Sequence, residues 1–256
     1  MLKVIILSLV QGLAEFLPVS SSGHLALINY FFPRTPEDFF LAVFLHGGTL
    51  LATIIYFRTD IARIFSGLRL RSVKGTESRR YLTAIIVGSI PVGVLGLFLE
   101  KQAKSIFVSP PLLAVMFLIT GLALAVVSLK SEGKNGLRLP GAFIVGWAQL
   151  AAVLPGISRS GSTISAGLIS GLSRQEAFRF SFLLSLPAVA GAFLIEGVKA
   201  LKAGTTLSVT QTLVGFALSF VFGFLALHLL RRLVLAGRLA WFSVYLLILG
   251  LFTIFI

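Results

Sequence analysis

The 256-residue chain contains no cysteine, which excludes a disulfide framework and a thiolate metal site. It is also poor in charge: Asp, Glu, Lys and Arg make up 12% of it, about half the share in a soluble domain. Acidic residues are scarcest, nine against 22 basic ones, for a formal net charge of +13. No Walker-type phosphate loop and no HExxH zinc motif occurs. The run from Val4 to Ala14 is interrupted by Gln11 and stopped by Glu15. It lacks the small-residue cleavage site of a secretory signal peptide.

Apolar residues fill the space: 57% of the chain, with a mean hydropathy of +1.00. They fall in six blocks free of Asp, Glu, Lys and Arg: 39–57, 81–99, 105–129, 180–195, 203–230 and 239–256. Crossing a bilayer takes about 20 such residues, with a lower limit near 17. Five blocks reach that length, and the fourth gains it from its ends. The expectation is an all-α integral membrane protein with six transmembrane helices in one domain, 1–256. Most of the positive charge then follows the positive-inside rule rather than marking nucleic-acid binding. Basic residues crowd 58–80 (Arg58, Arg63, Arg69, Arg71, Lys74, Arg79, Arg80), then Lys130, Lys134 and Arg138, then Arg231, Arg232 and Arg238. Poorer loops, with Lys101 and Lys104 or Lys199 and Lys202, alternate with them. The rich loops are expected in the cytoplasm and the C-terminus outside.

Two more hydrophobic segments, 2–33 and 139–172, are interrupted. Each has a short apolar arm, a Pro, a Ser- and Gly-rich polar cluster and a second short arm. Neither arm can cross alone. Irregular backbone at membrane depth survives only inside protein or along an aqueous cavity, so both read as re-entrant helical hairpins. At an offset of 138 residues Gln11 meets Gln149, Ser20 meets Ser158, Ser22 meets Ser160 and Gly23 meets Gly161. The expectation is a duplication with repeats near 1–100 and 139–256. Three spans separate equivalent points, so the repeats are inverted and the hairpin tips face each other at a central site.

Polar residues at these tips carry the chemistry. Glu15 lies in an apolar segment, where an ionisable side chain is costly and marks function by default. Gln11, one turn earlier, shares its face. Ser20, Ser21, Ser22 and Gly23 precede His24, offering hydroxyls and free N–H groups at a helix start, a good phosphate site, and a histidine that can shuttle a proton. Arg159, among Ser158, Ser160 and Thr163, needs an anionic partner at depth, and its fork suits phosphate oxygens. The bland alternatives are a Ser-rich cap and a structural Glu15–Arg159 pair. His46 reads as a packed, hydrogen-bonded histidine, His228 as interfacial, and Arg174, Glu176 and Arg179 as capping the helix that enters the fourth block. Together the constellation favours phosphoryl chemistry on a lipid-borne phosphate. A transporter or flippase of such a lipid is the alternative, since broken helices around a central site also suit transport.

The stretches QGLAEFLPVSSSGH (11–24) and PGISRSGST (155–163) closely resemble the two signature motifs of the undecaprenyl-diphosphatase family of the bacitracin-resistance type, in order and in spacing. The resemblance spans essentially the whole chain. It implies six spans with two re-entrant hairpins, and hydrolysis of undecaprenyl diphosphate to the monophosphate carrier lipid of cell-wall synthesis. It implies a bacterial inner-membrane location and, as a further expectation, a homodimer. It also implies that Glu15 binds a divalent cation, Mg or Ca, that Arg159 holds the diphosphate, and that Ser21 and His24 serve the chemistry. Ser21 is then nucleophile, with His24 as its base or orienting partner, or else His24 activates a water. Gln11 stands where the family has Glu or Gln, and removes a second acidic ligand.

Overall fold

The computed structural model describes residues 1–31, 36–106, 109–204 and 207–256. The last residues of the first expected hairpin, and positions 107–108 and 205–206 of the third and fifth apolar blocks, lie outside the described residues. Among the described residues all the regular elements are helices: α1 (Leu2–Phe16), α2 (Ser21–Phe31), α3 (Pro36–Tyr56), α4 (Arg58–Gly67), α5 (Val73–Ile106), α6 (Pro110–Ser128), α7 (Leu139–Ala151), α8 (Arg159–Ile169), α9 (Arg174–Ala203), α10 (Val209–Leu235) and α11 (Ala240–Ile254).

Among the described residues, five helices are long and apolar enough to cross a membrane: Asp38–Tyr56, Val73–Leu99, Pro110–Ser128, Arg174–Lys202 and Val209–Leu235. The protein is a multi-pass membrane protein. The fourth apolar block lies inside the 30-residue α9. The sixth forms the 15-residue α11, shorter than the other five. The basic stretch 58–80 contains α4, which an apolar spacing (Ile61, Ile64, Phe65) supports. Ile64 is buried, and the Ser78 hydroxyl donates to the Arg63 carbonyl at 3.3 Å, holding α4 against α5. The helix α5 also runs on through Lys101 and Lys104, where the sequence suggested a loop.

The helices pack through small residues, as membrane helices do when no water drives them together. A Cβ on Gly146 of α7 would lie 2.2 Å from the Gly88 carbonyl of α5, so only glycine permits that approach. The helix α10 packs on α1 and α3, α7 on α5, and α6 on α11. The main core joins Phe16, Phe57, Phe178 and Phe182 to Phe117 and Ile164. It takes in Phe16 at the end of α1 and Ile164 of α8.

Candidate active site

The two breaks are built alike. Before α2, Ser20 Oγ accepts the Gly23 N–H at 3.2 Å and lies 3.3 Å from Ser22 Oγ. Before α8, Ser158 Oγ accepts the Gly161 N–H at 3.2 Å and lies 3.3 Å from Ser160 Oγ. Ser158 is the N-cap of α8, and such a serine stabilises a helix start by about 1 kcal/mol. Ser20 differs in backbone: its φ of 70° is, among the described residues, the only positive value outside glycine. That conformation costs about 1–3 kcal/mol for a side chain with a Cβ and gathers at functional sites. The two breaks touch, with Ser20 Oγ donating to the Ile157 carbonyl at 3.4 Å.

Glu15, near the end of α1, is the hub. Its Oε1 accepts from Arg159 Nη2 at 2.8 Å across the two breaks. Its Oε2 accepts from Ser21 Oγ at 2.7 Å and from Gln11 Nε2 at 3.0 Å. Side-chain exposure is only 10% for Glu15 and 18% for Arg159. A charge so placed is tolerable only when paired and hydrogen-bonded, and both conditions hold. A fourth neighbour, His46 of α3, brings Nε2 to 3.8 Å from Oε2, while its Nδ1–H donates to the Ala42 carbonyl at 2.8 Å.

These groups form the polar end of a cavity of about 600 Å³, within the range of small-molecule sites. Glu15, Ser20, Ser21, Ser22, Ser158 and Arg159 line it. The rest of the wall is largely apolar, from α3, α5 and α9, and includes Val92, Gly93, Leu97, Pro187 and Phe193, with one further carboxylate, Glu196 of α9. An anion with a hydrocarbon tail fits such a two-part space.

Not every expected residue joins it. His24 donates Nδ1–H to the Ser20 carbonyl at 2.8 Å, and its Nε2 accepts from the Tyr245 hydroxyl at 2.6 Å. Its ring stacks on Tyr245 and meets the Phe117 edge. Thr163 is fully buried and bonds the Arg159 carbonyl at 2.7 Å and Ser181 Oγ at 2.5 Å. Gln11, Gly23 and Ser160 also stand behind the wall rather than in it. Conversely, His46 and Gln149 line the cavity, and the sequence reading gave neither a site role. The signal for His46 was an ionisable ring in mid-span. For Gln149 it was the match to Gln11. Among the other polar residues, Ser173 caps α9, and Arg179 pairs with Asp60 at 2.9 Å and covers the Tyr81 ring.

The family described as "Bacitracin resistance protein BacA" has a model that matches residues 4–252. A protein of Desulfosudis oleivorans named undecaprenyl-diphosphatase is 43% identical, with 98% of this chain and 97% of the relative covered. A Treponema denticola protein of the same name is 41% identical over 97% of this chain and 94% of its own length. One from Methanococcus vannielii, again so named, is 39% identical over 98% of both.

Proposed function

The chain belongs to the bacitracin resistance protein BacA family, and from that premise we propose that it hydrolyses undecaprenyl diphosphate to undecaprenyl phosphate and inorganic phosphate. The observation that carries this reading is the convergence of Glu15, Ser21 and Arg159 at the polar end of an otherwise apolar cavity. Recycling of the carrier lipid at a bacterial inner membrane, and bacitracin resistance, accompany that activity.

The diphosphate lies against Arg159 and the serines, and the prenyl tail leaves along α5 and α9 toward the bilayer. Arg159 balances the negative charge of the transferred phosphoryl group. Ser21 Oγ attacks the terminal phosphorus and gives its proton to Glu15 Oε2, which it already meets at 2.7 Å. The bridging P–O bond breaks and undecaprenyl phosphate leaves. Water then cleaves the Ser21 phosphoester, the proton returns to Ser21, and inorganic phosphate is released. His24, bonded to the Ser20 carbonyl and to Tyr245, holds Ser20 in its strained conformation and so positions Ser21. Attack by water, with Ser21 only binding, would leave no phosphoserine.

A divalent cation, Mg or Ca, fits the donors present. Glu15 has one acceptor site left beside its bonds to Arg159, Ser21 and Gln11, and the Gln11 Oε1 just behind the wall has no partner among the described residues. Both are hard oxygens of the kind these ions take, usually with phosphate oxygens completing the shell. Bound there, the ion would neutralise phosphate charge.

Inverted repeats with two re-entrant hairpins and six spans, α11 being the sixth, agree with these contacts. The arms α1 and α7 are about 20 Å long at 1.5 Å per residue, short of a bilayer core of about 30 Å. If α3, α5 and α6 correspond to α9, α10 and α11, the packing of α1 on α10 mirrors that of α7 on α5, and α3 on α10 mirrors α9 on α5. This extends the first repeat through α6. The homodimer remains a proposal on the family resemblance.

The test is phosphate release from undecaprenyl diphosphate by purified protein in detergent, with Mg, with Ca and with EDTA. Metal-dependent release supports hydrolysis. A folded protein that binds the lipid and releases no phosphate would overturn it and favour lipid transport. Trapping a Ser21 phosphoester after acid quench supports the serine route, and its absence during rapid turnover counts for water.

A further inference from the structure

Gln149 lies in the third turn of α7, only 3% exposed. Neither its Oε1 nor its Nε2 has a hydrogen-bond partner among the described residues. Yet it borders the cavity beside Ser158 and Arg159. A residue kept only for packing there would be apolar, because a buried amide without partners destabilises the fold. Its place is also firmly set, because Gly146, one turn earlier, lies against the backbone of Gly88 on α5.

The comparison with Gln11 says what is missing. Gln11 donates Nε2–H to a carboxylate one turn later on its own helix, Glu15. The position one turn after Gln149 is Val153, which also borders the cavity. The second half therefore has the amide donor without the protein anion that satisfies it in the first half. An anion held by the neighbouring Arg159 would lie within the same space.

We propose that Gln149 is a substrate-binding residue whose side-chain N–H groups donate to an oxygen of the diphosphate. The ligand supplies the acceptor that Glu15 supplies to Gln11. This rests on the reading of the cavity as a lipid-diphosphate site. Gln149 does no proton transfer, so its contribution is to affinity and orientation.

The test uses Gln149→Met, which keeps length and loses polarity, and Gln149→Glu, which keeps shape and replaces the donor with a negative charge. Kinetics on undecaprenyl diphosphate are measured beside thermal midpoints in detergent, with and without inorganic pyrophosphate. For Gln149→Met the expected result is a KM raised about 10- to 100-fold, the worth of one hydrogen bond to a charged group. Its kcat should stay within about threefold, and its thermal midpoint should be equal or higher. Gln149→Glu should bind more weakly still. Pyrophosphate should stabilise the wild type and neither variant. Unchanged KM and unchanged pyrophosphate stabilisation in both variants would overturn the proposal. A wild type that releases no phosphate overturns the hydrolase reading, and the pyrophosphate shift then decides the binding role of Gln149 separately.

Discussion

The Glu15–Arg159 pair should separate stability from activity. Both side chains are largely buried, at 10% and 18% exposure, and meet at 2.8 Å. Removing one partner of such a pair costs about 3–5 kcal/mol, because the survivor remains charged and buried. Glu15 keeps hydrogen bonds from Ser21 and Gln11, and Arg159 reaches the cavity, so Arg159→Met should fall near the lower bound, about 3 kcal/mol. Glu15→Gln leaves a cation without its partner and should cost a similar amount. The double variant Glu15→Gln, Arg159→Met buries no charge, and should recover stability to within about 1 kcal/mol of wild type. Its activity should not recover. Loss of an electrostatic donor lowers turnover about 10²–10³-fold, and the double variant should be at least as impaired as either single one. Thermal and denaturant unfolding in detergent give the stability cycle, and phosphate release gives the activity cycle. A double variant whose losses simply add would refute the buried-pair argument. One that regained turnover along with stability would refute the catalytic role of both residues.

Four further outcomes follow from the geometry. Ser21→Ala should stay folded and lose about 10³-fold or more in kcat if its hydroxyl is the nucleophile, and residual turnover within 10-fold of wild type would exclude that role. Removing metal with EDTA should abolish phosphate release and Mg should restore it, while Gln11→Glu should lower the Mg concentration needed for half-maximal rate. An unchanged Mg dependence in that variant would place the ion elsewhere. A Cβ at Gly93 or Gly191 meets open space, and both positions border the cavity. Tryptophan at either should therefore slow turnover of the undecaprenyl substrate far more than that of a short prenyl diphosphate, and equal losses on both would contradict a tail along α5 and α9. Tyr245→Phe removes the hydrogen bond to His24 Nε2, worth about 1 kcal/mol, and a positioning role for His24 predicts a rate loss of less than about 10-fold.

Much of this was legible in the chain because membrane depth narrows the options. A carboxylate and a guanidinium in apolar segments had to find partners, and Glu15 and Arg159 find each other across 144 residues. Pro followed by Ser and Gly had to break a helix, and both breaks fall there. Side-chain direction was not legible. His24 follows the serine cluster, yet a hydroxyl 221 positions away on α11 takes its Nε2. Thr163 lies one turn beyond Arg159 but points at Ser181 of α9. His46 was read as a packed, hydrogen-bonded histidine. It has that hydrogen bond, and its other nitrogen faces Glu15 as well. In each case the direction depends on another helix. The helix α4 escaped notice because arginines dilute its apolar spacing.

If the proposed duplication holds, the two breaks suggest how such a scaffold acquires an asymmetric site. Their caps match bond for bond, with Ser20 and Gly23 on one side and Ser158 and Gly161 on the other. The first residue of the following helix is Ser21 in one copy and Arg159 in the other. The same backbone frame thus presents a hydroxyl from one side and a cation from the other. Glu15 has Val153 as its counterpart, so the one carboxylate at the breaks serves both: it accepts from Ser21 and pairs with Arg159. Two carboxylates in symmetric positions would repel an anionic diphosphate, whereas one leaves the second half free to receive it. On this argument a second acid at Val153 is the substitution the site should tolerate least. Val153→Glu should preserve folding if Gln149 satisfies the new side chain as Gln11 satisfies Glu15. It should nevertheless abolish pyrophosphate-induced thermal stabilisation. A Val153→Glu protein that still hydrolysed the lipid at the wild-type rate would show that the asymmetry of the two halves is incidental to binding.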